Sequence, residues 1–249
     1  MKWFTLLIKY FALAVYIISF LAVPAFGGIW GDLAGKAIGA GVDWMMQDLK
    51  NDDLYEAVWD NVKSAAEIKA MIENGADVNS VHTDQNFTPL IAAGFRNTNP
   101  EVAKILIQAG ADINARETAL GETALVWACA KNKNPEVMKI FLRFGGDINY
   151  KSASGTTLLM WAAGMNTNPE MITALISEGA DINERRSGDD ATALMMAAWM
   201  NSNPYVIKTL IQAGADVSAK NSAGKTARDF ANENENNKAQ IIKALEQIN

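Results

Sequence analysis

Reactive side chains are scarce in this sequence. One cysteine, Cys129, and one histidine, His82, stand among 249 residues. A single cysteine excludes an intrachain disulfide, and a single histidine excludes a histidine-rich metal cluster and the usual set of nucleophile, base and orienting group. The chain has no Gly-rich phosphate loop followed by Lys-Ser or Lys-Thr, no His-Glu-x-x-His and no Cys-x-x-Cys. Adjacent acids, Asp52-Asp53 and Asp189-Asp190, fall at a helix entry and a turn rather than facing a base. No catalytic constellation is visible, so the expectation is a non-enzymatic protein with no cofactor, no metal and no small-molecule substrate. Positive charge is also short: 22 basic against 28 acidic residues give a net charge of −6. No basic face dominates, which argues against general nucleic-acid binding. With 49% hydrophobic residues the chain is not a disordered tail.

What is present is repetition. A five-residue phrase, Gly75-Ala76-Asp77-Val78-Asn79, returns with its glycine at 110, 145, 179 and 214, a period of 34 or 35 residues. Between these phrases stand Thr88-Pro89-Leu90, Thr123-Ala124-Leu125, Thr157-Leu158-Leu159 and Thr192-Ala193-Leu194, each followed twelve positions after its Thr by Pro100, Pro135, Pro169 or Pro204. Such a period indicates stacked supersecondary units rather than one globular core.

Each unit can be read physically. A Thr hydroxyl can accept an N–H of the first helical turn, and Pro89 occupies a first position where its missing donor loses nothing. A helix of about two turns follows. Asn-Pro-Glu at 99–101, 134–136 and 168–170, and Asn203-Pro204-Tyr205, then open a second helix with Asn as cap. Val102, Ile105, Leu106 and Ala109 recur three or four apart, giving that helix one apolar face. The glycine of each phrase ends it in the left-handed conformation. The dozen or so residues to the next Thr are turn-rich and suit a β-turn finger. Cys129 takes a first-helix position held elsewhere by Gly94, Ala163 and Ala198, so it reads as a small buried residue. His82 falls on the first fingertip and is expected in solvent.

Thr-Pro-Leu-x-x-Ala and Gly-Ala-Asp-Val-Asn resemble the two signatures of the ankyrin repeat, and the resemblance covers about Asp52 to Asn249. It implies an all-α repeat solenoid with β-turn fingers, here about six units including both caps, the first of them degenerate. The extra residue per period falls in the inter-helix loops, such as Asn97-Thr98-Asn99. The family's His after Thr-Pro-Leu is replaced by Ile91, Val126, Met160 and Met195, so its side-chain hydrogen bond cannot be assumed. The resemblance also implies a protein partner held in a concave groove by fingertips and by the two positions after each first helix's Ala-Ala. In this chain those positions point to Phe95, Arg96, Lys131, Met165, Trp199 and Met200, and the fingers add Tyr150, Arg185 and Arg186. Aromatic, Met and Arg side chains are the types enriched at interface cores.

The N-terminus is of a different kind. Lys2 and Lys9 precede an uncharged run from Tyr10 to Val23, and Val23-Pro24-Ala25 has small residues at signal-peptidase spacing. Residues 1–25 read as a cleaved secretory signal, which implies export to the periplasm or beyond. The alternative is an uncleaved anchor, reached only by placing Lys9 in the hydrocarbon. Residues 26–51 read as a Gly-rich linker running into a helix. Gly27, Gly31, Gly35 and Gly39 fall four apart, a spacing that also permits close helix approach, and membrane contact through residues 1–49 or self-association is the second reading.

Overall fold

The computed structural model describes residues 41, 43, 47, 49–51, 53–82, 86–235 and 237–246. The expected leader and the four spaced glycines lie outside them. Contacts divide the chain into Met1–Asp52 and Asp53–Asn249. In the first unit the described residues are helical, and Gln47 Nε2 donates to Asn51 Oδ1 at 3.0 Å.

The second unit holds twelve helices among the described residues, and no strand. They are α1 (53–59), α2 (Ala65–Glu73), α3 (Pro89–Phe95), α4 (Pro100–Gln108), α5 (Ala124–Lys131), α6 (Pro135–Arg143), α7 (Leu158–Met165), α8 (Pro169–Ser177), α9 (Ala193–Met200), α10 (Pro204–Gln212), α11 (Ala227–Glu233) and α12 (Lys238–Glu246). The ends obey the local rules. Thr88, Thr157, Thr192 and Thr226 each accept an N–H three residues on, and Asn99, Asn134, Asn168 and Asn203 cap the second helices. Thr123 departs from this expectation: it makes no side-chain cap bond. The glycines of the repeated phrase close the second helices at φ between +92° and +101°, which a Cβ would oppose.

Two layers result. The first helices α3, α5, α7, α9 and α11 pack in sequence, and the second helices α2, α4, α6, α8, α10 and α12 do the same alongside. The fingers are turns, and two of them are each closed by a single bridge, Arg116 to Thr123 and Lys151 to Thr157. Leu90, Leu159, Leu194, Val102, Leu106, Phe141, Ile172 and Leu210 form the continuous core between the layers. Alanines on the first helices let these approach closely. At Gly94 the approach is closer still: a Cβ there would lie 2.3 Å from the Ala124 carbonyl oxygen.

The residues that replace the usual histidine, Ile91, Val126, Met160 and Met195, are each 1% exposed and wholly apolar in role. Polar connection between repeats comes instead from the loop asparagines. Asn97 Nδ2 donates to the Val58 carbonyl at 2.8 Å, and Asn132 to those of Gly94 (2.8 Å) and Asn97 (2.9 Å). Asn166 donates to Cys129 (2.9 Å) and Asn132 (2.8 Å), Asn201 to Ala163 (2.7 Å) and Asn166 (2.8 Å), and Asn234 to Ala198 (3.0 Å) and Asn201 (3.1 Å). All five are buried. Their amide oxygens accept backbone N–H groups, as Asn166 does from Asn168 at 2.9 Å. A parallel outer row, Asn134, Asn168, Asn203 and Asn237, bonds the carbonyls of Thr98, Lys133, Thr167 and Ser202. The longer loop thus carries two ladders of amides: the inner one satisfies C-terminal carbonyls of the preceding first helices, and the outer one satisfies carbonyls of the preceding loops.

Candidate protein-interaction surface

The C-terminal turns of the first helices form one edge of the stack. Positions four, seven and eight after each Thr share a helical face, so successive helices place Trp127 and Lys131, then Trp161 and Met165, then Met196, Trp199 and Met200 along it. The edge changes character from end to end.

At its N-terminal end the aromatics pack on each other. Phe95 is half-buried, its ring 5.4 Å from Trp59, 5.1 Å from Trp127 and 5.8 Å from Phe87. Trp127 is only 8% exposed, because Phe87 and Phe95 cover it. Arg96 is exposed, with its guanidinium carbon 5.4 Å above the Trp59 ring. Lys131 is exposed on the next helix. His82 is half-buried rather than solvated, its ring stacked 4.2 Å from Tyr55. The aromatic face of α1 gives it an apolar surface to cover.

Towards the C-terminal end the edge opens. Met165 and Met196 are half-buried, while Trp199 is 44% and Met200 37% exposed. Trp199 meets the neighbouring unit at Phe230, with ring centroids 6.4 Å apart. Gly164 has no side chain to fill the space beside α9, and Met200 Sδ would sit 3.6 Å from a Cβ built there.

The finger residues have intramolecular work. The Tyr150 hydroxyl donates to Glu122 Oε2 at 2.6 Å and accepts from Arg116 at 3.1 Å. Burial, reinforced by the bond to Glu122, holds its phenol above the usual range. Glu117, 2% exposed, accepts the N–H groups of Ala119, Leu120 and Glu122 and so ties its own fingertip. Arg185 donates to the Lys220 carbonyl at 2.8 Å, joining one finger to the next. Arg186 pairs with Asp189, and that guanidinium holds the Asp189 carboxyl below its ordinary range. Burial pushes the Cys129 thiol far up, so it is an unreactive core residue.

The structure therefore gathers Phe95, Arg96, Lys131, Met165, Trp199 and Met200 on one edge, and places Tyr150, Arg185 and Arg186 in contacts between or within fingers. Trp127, Trp161 and Met196 share the edge without having been singled out. Their signal was present in the sequence as the position one helical turn before the pair after Ala-Ala.

The family model described as ankyrin repeats, three copies, matches residues 96–186, 125–221 and 163–246. This chain belongs to the ankyrin-repeat family. Among solved structures, the ankyrin stack is similar to a chain of a Bdellovibrio bacteriovorus complex described as the predatory endopeptidase Bd0816 with the immunity protein Bd3460. The likeness has a TM-score of 0.57 at 28% identity and covers 79% of this chain and 97% of that one. No curated protein matches the sequence. Ankyrin repeats are protein-interaction modules, and the two-layer stack with its open edge has that architecture.

Proposed function

We propose that this chain is an exported, non-enzymatic binding module that holds a partner protein on the first-helix edge of its ankyrin stack. The observation that carries the reading is the exposure of Trp199 and Met200 beside half-buried Met165 and Met196: large apolar side chains left open in a row, where a well-packed repeat would have buried them. Export rests on the leader read at residues 1–25, and places the partner in the periplasm or outside the cell. The likeness to a chain from an endopeptidase and immunity protein complex supports a protein partner of the peptidase kind.

The test is affinity capture from an envelope extract by the full chain and by its Trp199→Ala variant. The expected result is capture of an exported peptidase, weakened by at least ~2 kcal/mol when Trp199 is truncated while the fold stays cooperative. Equal capture by both chains, with the variant folded, would remove the edge from the reading. An intact Met1 on the mature protein, found by N-terminal sequencing in a membrane fraction, would replace the cleaved signal with the anchor.

A further inference from the structure

The edge is chemically polarised along the stack. Arg96 and Lys131 occupy equivalent positions on α3 and α5, both exposed, and neither has a carboxylate partner among the described residues. This sets them apart from Lys104, Lys139, Lys151 and Lys225, which pair with Glu101, Glu136, Glu184 and Glu233. On α7 and α9 the same position holds Met165 and Met200, with Trp199 beside the latter. On α11 the position matching Trp199 is Glu233, already paired with Lys225 at 2.6 Å. The order along the edge is therefore cationic, apolar, then a Lys225–Glu233 ion pair, on a protein whose net charge is −6.

Resting on the proposed binding role, we infer that the edge takes an extended acidic segment of the partner, its carboxylates over Arg96 and Lys131 and an apolar side chain against Trp199 and Met200. Charge complementarity fixes the direction in which the segment lies, since its acids are attracted to the end that carries Arg96 and Lys131. Packed helices lie roughly 8–10 Å apart, so Lys131 and Met200, two repeats apart, are separated by roughly 16–20 Å. An extended chain rises about 3.3 Å per residue. The acidic and apolar residues of the segment are thus about five or six positions apart.

A displayed library of random peptides, about a dozen residues long so that each can span this distance, tests the inference when selected on the full chain and on a variant carrying both Arg96→Glu and Lys131→Glu. The wild type should enrich Asp or Glu with Leu, Phe, Trp or Met about five or six residues away. The double variant should lose the acids and enrich Lys or Arg in their place. Acidic peptides selected by the wild type should bind the double variant roughly tenfold more weakly, the size expected for two partly exposed charge pairs. Selection of neutral or basic peptides by the wild type, no enrichment at all, or the same peptides from both chains would overturn it. Partner capture that depends on Trp199 but ignores the double reversal would also overturn it, while leaving the binding role standing.

Discussion

Asn166 donates its side-chain amide to the main-chain carbonyl of Asn132 at 2.8 Å, one repeat back, and Asn132 makes the corresponding bond to Asn97 at 2.9 Å. Each amide also reaches the end of the preceding first helix, where Asn166 meets the Cys129 carbonyl. The ladder satisfies carbonyls that a helix terminus otherwise leaves to water, in a place water does not reach. It contains no titratable group, in contrast to a histidine at the head of the first helix.

Asn166→Ala should consequently destabilise the stack by about 1–3 kcal/mol for each buried group left without a partner. Asn97→Ala removes the one inter-repeat bond to Val58 at the first interface, with the local bond from the Asn99 N–H, and should mainly loosen that end. Urea titration of both variants decides it. Equal losses of global stability would mean that the ladder does not couple the repeats.

Two glycines one step apart in the repeat frame should respond to alanine in opposite ways. At Gly94 the new methyl would meet the Ala124 carbonyl oxygen, a main-chain atom, at 2.3 Å. Overpacking of this kind should cost about 1–3 kcal/mol. At Gly164 the nearest atom is Met200 Sδ at 3.6 Å, an ordinary contact, so Gly164→Ala should gain about 0.5–1 kcal/mol of helix stability. Thermal unfolding of the pair checks both signs at once.

The Tyr150 phenol, raised by burial and by its bond to Glu122, links stability to alkaline pH. A raised folded value means that the neutral phenol is the form the fold prefers. Its contribution is complete below the ordinary value of 10 and is lost as pH rises through the higher folded value. Stability should therefore fall more steeply above pH 10 in the wild type than in Tyr150→Phe. Denaturation midpoints on either side of that pH measure it, and parallel curves would show that the finger network does not hold the phenol.

Much of the architecture was legible in the sequence because it is local. Thr and Asn-Pro start helices, Gly ends them, and each rule acts within a few residues of the groups it satisfies, so period, helix bounds and fold class followed from the text. Thr123, which caps nothing, shows how far such rules reach. The asparagine ladder was in view only as a loop one residue too long. Its bonds join residues 33 to 39 apart, and nothing short of stacked repeats brings them together. The interaction edge divides in the same way. Residue type and register marked Phe95 and Trp199 alike, but the rings of Trp59, Phe87 and Trp127 surround the first and leave it half-buried, while among the described residues a single aromatic ring, that of Phe230, flanks the second and leaves it 44% exposed. The fingertip cation Arg185 likewise looked free until packing set it against the Lys220 carbonyl, 35 residues away. Composition and period determined which side chains line up. Only neighbours distant in sequence decided which of them remain open, because exposure is a property of the packed surface and not of the residue.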